Sequence, residues 1–230
     1  SFTDMEHFGS YTQAEGLKAR FDQFIQDHAG VAGIEFLQQA VAHAEEQLGI
    51  PSADLLLEFS DAIIGNHYPV PDRMLKHCEA ICAAYIRKEF GAGRPFDKPF
   101  DLFATEGGTA AMTYVFQTLK ENKLLKMGDT IALGVPIFTP YLEIPRLNDY
   151  RFVEVEVTAS EDQGWQIPDS EIDKLLDPKI KSFFVVNPTN PPSVKIHDAT
   201  IDRIVEIVKT KRPDLIILTD DVYGTFTQGF

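Results

Sequence analysis

From about residue 100 onward, short runs rich in β-branched and aromatic residues alternate with stretches of helical periodicity, and this alternation restricts the fold more than any other feature. The strand candidates span 130–135, 152–157, 182–186 and 215–218, with helices expected at 110–125, 136–147, 170–176 and 199–210. The last two strand runs are nearly continuous in apolar residues, the pattern of strands buried on both faces of a parallel sheet. Strand and helix in strict alternation build a doubly wound α/β sheet, mostly parallel, with helices on both sides in three αβα layers. In such sheets ligands bind at the carboxyl ends of the strands, so the residues just after each strand are the ones to read for chemistry.

The first sixty residues have a different texture. Phe21, Phe24 and Ile25 share one helical face, and Ile34, Leu37, Val41, Ala44 and Leu48 share another before Gly49-Ile50-Pro51 stops the run. A turn-rich segment, Gly65 to Pro71, precedes a further helix expected over 72–90. The chain therefore divides into a helical N-terminal region, 1–62, and an α/β domain, 63–230. Cys78 and Cys82 sit four apart in the helical pattern without the further Cys or His of a zinc site, and read as small core residues; no metal is expected. A net charge of -14 disfavours a nucleic-acid partner, because such a surface repels phosphate. No apolar run approaches the ~18 residues of a membrane helix, so no membrane partner is expected and the expected location is the cytoplasm. The absent initiator Met and the ending at Gly229-Phe230 suggest a piece of a longer chain.

One helix start and three strand ends carry the chemistry. Glu106-Gly107-Gly108-Thr109 opens a helix, whose N-terminal amides can cradle a phosphate; the same glycines can equally form a tight turn. It is neither a Walker loop nor a dinucleotide fingerprint. Pro136-Ile137-Phe138-Thr139-Pro140-Tyr141 follows the first strand, where Phe138 can present its face to a planar ring or simply be a buried aromatic. Asn187-Pro188-Thr189-Asn190-Pro191-Pro192-Ser193 follows the third, where Asn190 can point a donor into the crevice or serve only the turn. Thr219-Asp220-Asp221-Val222-Tyr223 closes the fourth. A carboxylate at the end of a buried strand needs a partner, so Asp220 is either catalytic or a satisfied structural group.

Together these segments resemble the fold type I enzymes that use pyridoxal 5'-phosphate (PLP), the aspartate aminotransferase superfamily, over roughly residues 68–223. The resemblance implies that Gly107, Gly108 and Thr109 hold the cofactor phosphate and that Phe138 stacks on the pyridine ring. It implies that Asn190 and Tyr223 donate to the ring's phenolic oxygen and that Asp220 engages the pyridine nitrogen. Asp220, Tyr223 and Asn190 would then be the catalytic members. Tyr68 resembles the tyrosine that reaches the neighbouring subunit's phosphate, which implies a homo-oligomer, at least a dimer. The usual glycine after it is replaced here by Pro69-Val70-Pro71.

The wording of the motifs is most similar to the bacterial aspartate β-decarboxylases, a branch that converts L-aspartate to L-alanine and carbon dioxide and also transaminates with a 2-oxo acid. Pro192-Ser193 departs from the family's Thr-Gly. After Lys211 the sequence contains no lysine, so the Schiff-base lysine and the substrate-binding arginine are expected beyond residue 230. The alternatives are a plain class I aminotransferase of alanine, aspartate or aromatic amino acids, an idle PLP-sensing module, and a phosphate-binding α/β protein that uses no PLP. The acidic N-terminal region argues against the module, and the coincidence of Asn190, Asp220 and Tyr223 argues against the last.

Overall fold

The computed structural model describes residues 14–65, 74–91, 94, 98–147 and 153–227. They fall into two compact units that divide between Ala104 and Thr105.

The first unit is helical: α1 (Ala14–Asp27), α2 (Ala32–Leu48), α3 (Ser52–Ile63) and α4 (Lys76–Phe90). α2 ends where Gly49 adopts φ 66°, a left-handed conformation that costs glycine nothing, and its N–H closes onto the carbonyl of Glu45. Pro51 then starts α3, an element absent from the sequence expectation, which ended its helical reading at Gly49-Ile50-Pro51. Val41, Ala44, Ile50, Leu55 and Leu56 form the core, with Phe21, Leu37, Phe59 and Ile81 packed on it. Phe24 and Leu48 lie outside that core and are exposed, so the faces read from periodicity are narrower than expected. The buried Glu58 on α3 accepts the N–H groups of His77, 3.0 Å from each oxygen, and of Cys78 at 3.3 Å. It thereby satisfies first-turn amides of α4, whose N-cap position, Leu75, supplies no side-chain bond. Cys78 and Cys82 are half-buried free thiols rather than core residues, because α4 has no fully buried position. Burial raises the Cys78 thiol pKa, and the neighbouring Cys82 adds to the shift.

In the second unit, β1 (Thr130–Val135), β2 (Val153–Thr158), β3 (Ile180–Val186) and β4 (Ile216–Asp220) form one sheet in the order β2-β1-β3-β4. All three pairings are parallel, in agreement with the α/β expectation. The helices are α5 (Gly108–Glu121), α6 (Pro140–Glu143), α7 (Asp169–Ile172) and α8 (Asp198–Thr210), with 3-10 turns extending α6 to Arg146 and α7 to Leu176. α5 and α6 cover one face through Met112, Phe116, Leu119, Tyr141 and Ile144 against Ile131, Leu133, Phe184 and Val186. On the other face Ile172, Leu175, Ile204 and Ile207 meet Ala132, Val157, Phe183 and Val185. The connection β1 to β2 lies on the first face and steps one way along the sheet. The two later connections lie on the opposite face and step the other way. All three crossovers therefore share one hand, as the right-handed crossover rule requires.

Two strands depart from the sequence reading. β4 was expected to be buried on both faces, yet its residues are mostly half-buried, because among the described strands it pairs only with β3. β2 is likewise an edge, and its alternating Val and Glu residues put apolar side chains on one face only, where Val155 and Val157 pack.

Candidate active site

The order β2-β1-β3-β4 reverses direction between β1 and β3, and a doubly wound sheet opens a crevice at the carboxyl ends of its strands at that point. The segments singled out by sequence open α5 or follow β1, β3 and β4. Among them, Val135-Pro136, Asn187-Pro188 and Asn190-Pro191 are cis peptides.

Gly107 and Gly108 begin α5. Gly107 has φ 120° and ψ 173°, a conformation open essentially to glycine alone, and it directs the chain into the helix. No side chain caps this N-terminus, and Gly107, Gly108 and the first-turn residue Thr109 are all exposed. Uncapped, exposed first-turn amides at the positive end of a helix dipole suit a dianionic phosphate. A Cβ on Gly108 would lie 3.3 Å from the hydroxyl of Tyr141, so the glycine leaves room that any other residue would fill.

Tyr141, on α6, joins the other parts. It is only 2% exposed, its ring packs against Phe184 with centroids 4.8 Å apart, and the Phe138 ring meets it edge-on at 5.3 Å. Its hydroxyl donates to Asp220 Oδ2 at 2.5 Å. Burial, and then the Asp220 carboxylate beside it, raise the phenol's pKa well above the ordinary range. Phe138 keeps 37% of its surface exposed. Phe138 and Asp220 both touch Tyr141, so they lie on one side of the sheet edge, as a shared ligand requires.

Asp220 is half-buried, and its other oxygen, Oδ1, accepts the N–H of Val222 at 3.0 Å. A carboxylate can accept about four hydrogen bonds, so capacity remains for a further donor. Asn187 ties the third strand end to the fourth: its N–H donates to the Asp220 carbonyl and its side-chain oxygen accepts the Ile196 N–H, both at 2.9 Å. The turn that follows is closed by Thr189, whose hydroxyl and backbone pair with Val194. Asn190 stands half-buried within it. Ser193 occupies a left-handed conformation at φ 62°, which explains why the family pattern has glycine there. Tyr223 is 44% exposed and its ring meets Phe226 rather than Asp220. Tyr68 lies outside the described residues.

The structure thus brings Gly108, Phe138 and Asp220 around Tyr141, with Asn190 and Tyr223 on the segments that flank them. Tyr141 and Asn187 carry no role in the sequence reading although both lie inside its motifs. Their significance depends on the partner Asp220, which is 79 residues from Tyr141 along the chain. Among the described residues no group of three His, Cys, Asp or Glu is placed to hold a metal ion, and no helix is long and apolar enough to cross a membrane.

Asp221 faces a different environment. Burial raises its pKa above the ordinary 3.8, the Asp220 charge pushes the same way, and the hydrogen bond from Thr219 opposes both. A carboxyl with a raised folded-state value contributes stability that is full below pH 3.8 and lost as pH rises through the raised value. Asp221→Asn keeps an acceptor for Thr219 and removes that loss. The variant is expected to melt above wild type near neutral pH and to converge with it at about pH 4 and below, as thermal unfolding across that range would measure.

The chain is similar to known proteins along most of its length. The family model for aminotransferase class I and II matches residues 66–230. A bifunctional aspartate aminotransferase and L-aspartate beta-decarboxylase from Pseudomonas sp is 49% identical over 222 residues, 96% of this chain and 42% of that protein. An aspartate aminotransferase from Sulfurisphaera tokodaii is 25% identical over 69% of this chain and 36% of its own length. A solved aspartate aminotransferase from Thermus thermophilus with maleate gives a TM-score of 0.49 at 20% identity, over 60% of this chain and 33% of that one. The chain therefore spans less than half the length of these relatives. With most of its length matched from residue 66 to residue 230, the chain belongs to the aminotransferase class I and II family.

Proposed function

We propose that the full-length protein is a PLP-dependent enzyme that converts L-aspartate to L-alanine and carbon dioxide, with accompanying aminotransferase activity toward a 2-oxo acid. The observation that carries this reading is the convergence on Tyr141 of an uncapped helix N-terminus, a partly exposed aromatic ring and a hydrogen-bonded carboxylate. These match the phosphate, ring face and ring nitrogen of the cofactor. The room left at Gly108 and the spare accepting capacity of Asp220 are what the group needs. The choice of aspartate and of decarboxylation rests on the 49% identity to the Pseudomonas enzyme.

When bound, PLP supplies a sink for electrons released at the substrate's α-carbon. The residues of this chain bind and tune it. Amides of Gly107, Gly108 and Thr109 hold the phosphate, and Phe138 lies against the ring. Asp220 keeps a proton on the ring nitrogen by a charge-assisted hydrogen bond. Asn190 and Tyr223 donate to the phenolic oxygen. Tyr68 reaches the phosphate of a neighbouring copy in an oligomer that is at least a dimer, and the enzyme is cytoplasmic. The helical region 1–62 and the cofactor-binding domain from residue 63 act as separate parts of the chain. This boundary assigns α4 to the cofactor domain, whereas by packing it lies with the helical unit.

The test is to incubate the full-length protein with PLP, carboxyl-labelled aspartate and a 2-oxo acid, and to follow carbon dioxide, alanine and oxaloacetate together. Alanine with carbon dioxide above the solution rate is expected. Oxaloacetate without carbon dioxide would replace this reading by that of a plain class I aminotransferase.

A further inference from the structure

We propose that Tyr141 is a positioning residue for Asp220, holding its carboxylate in place and aimed while abutting the α5 N-terminus at Gly108; this rests on the PLP reading above. A tyrosine hydroxyl has one proton to give, and here it goes to Asp220 Oδ2. The donor cannot swing away, because the ring is fixed between Phe184 and Phe138 and is almost wholly buried. With Oδ1 held by Val222, both oxygens are fixed in direction. The same hydroxyl lies where a Gly108 Cβ would meet it at 3.3 Å. One atom therefore borders both the α5 N-terminus and the Asp220 carboxylate.

Tyr141→Phe removes the hydroxyl and keeps the ring packing. In the full-length protein this variant is expected to weaken equilibrium binding of PLP to the apoprotein about tenfold and to lower kcat about tenfold, as loss of a hydrogen bond to a charged group would. KM for aspartate and apoprotein affinity for inorganic phosphate should stay within about twofold, since neither depends on Asp220. The deciding measurement is a double-mutant cycle. In an Asp220→Asn background, Tyr141→Phe should change PLP affinity and kcat by less than about threefold. Equal losses in both backgrounds, or no loss in the wild-type background, would overturn the proposal. Failure of the unmutated apoprotein to bind PLP would instead reject the functional reading beneath it.

Discussion

Turnover of the full-length protein is expected to fall about 10²–10³-fold on Asp220→Asn, equivalent to about 3–4 kcal/mol of transition-state stabilisation, with PLP still bound. Asparagine nearly matches aspartate in size, and its single side-chain oxygen can keep the bond from Val222 while the amide nitrogen takes the place of the oxygen that faces Tyr141, so the local packing is retained and only the Tyr141 bond to a carboxylate is lost. What it lacks is the charge that keeps a proton on a ring nitrogen, and a neutral amide cannot replace a charge-assisted bond in a half-buried setting. The proposed phosphate seat at Gly107, Gly108 and Thr109 is on another element and is untouched. Steady-state rates, paired with the absorption spectrum of bound cofactor, check both halves of the expectation. Near-normal turnover would show that Asp220 is only a satisfied structural carboxylate.

Arg212→Ala is expected to cost about 3–5 kcal/mol of stability, a large share of the roughly 5–15 kcal/mol that holds a protein folded. Arg212 is only 5% exposed and uses its whole guanidinium. Nη1 donates to the carbonyls of Leu175 and Asp177, Nη2 to the carbonyl of Ile180 and to Asp214, and Nε to Asp214. Alanine would strand these backbone carbonyls without their donor. Lysine offers fewer donors without the planar fork, so Arg212→Lys should recover only part of the loss. These contacts gather at the amino end of β3, the edge opposite the cofactor residues. The prediction is thus a lowered urea midpoint and melting temperature, with turnover per folded molecule unchanged. A midpoint within experimental error of wild type would show that the carbonyls find other donors.

Sequence and tertiary structure contributed different things to these two sites. The four strands and the helices between them were legible within a few residues, since a strand or amphipathic helix is written in spacings of two, three and four along the chain. The positions of Gly107, Phe138, Asn190 and Asp220 at a helix start and at strand ends were legible too, because each lies in a local motif beside such an element. The helix Ser52–Ile63 escaped notice because Pro51 looks like a stop and serves as a start. Strand order was not legible: nothing local records that β3 lies beside β1 and not beside β2, since that depends on which faces bury together. The same holds for Tyr141 with Asp220, 79 residues apart, and for Arg212 with carbonyls 32 to 37 residues away. The sequence by itself determined the elements, the switch in texture near residue 100 and the cofactor motifs, all of them properties of neighbouring residues. Only the tertiary structure decided the partners of Asp220 and Arg212, because a hydrogen bond between distant segments exists only once packing has brought their elements together.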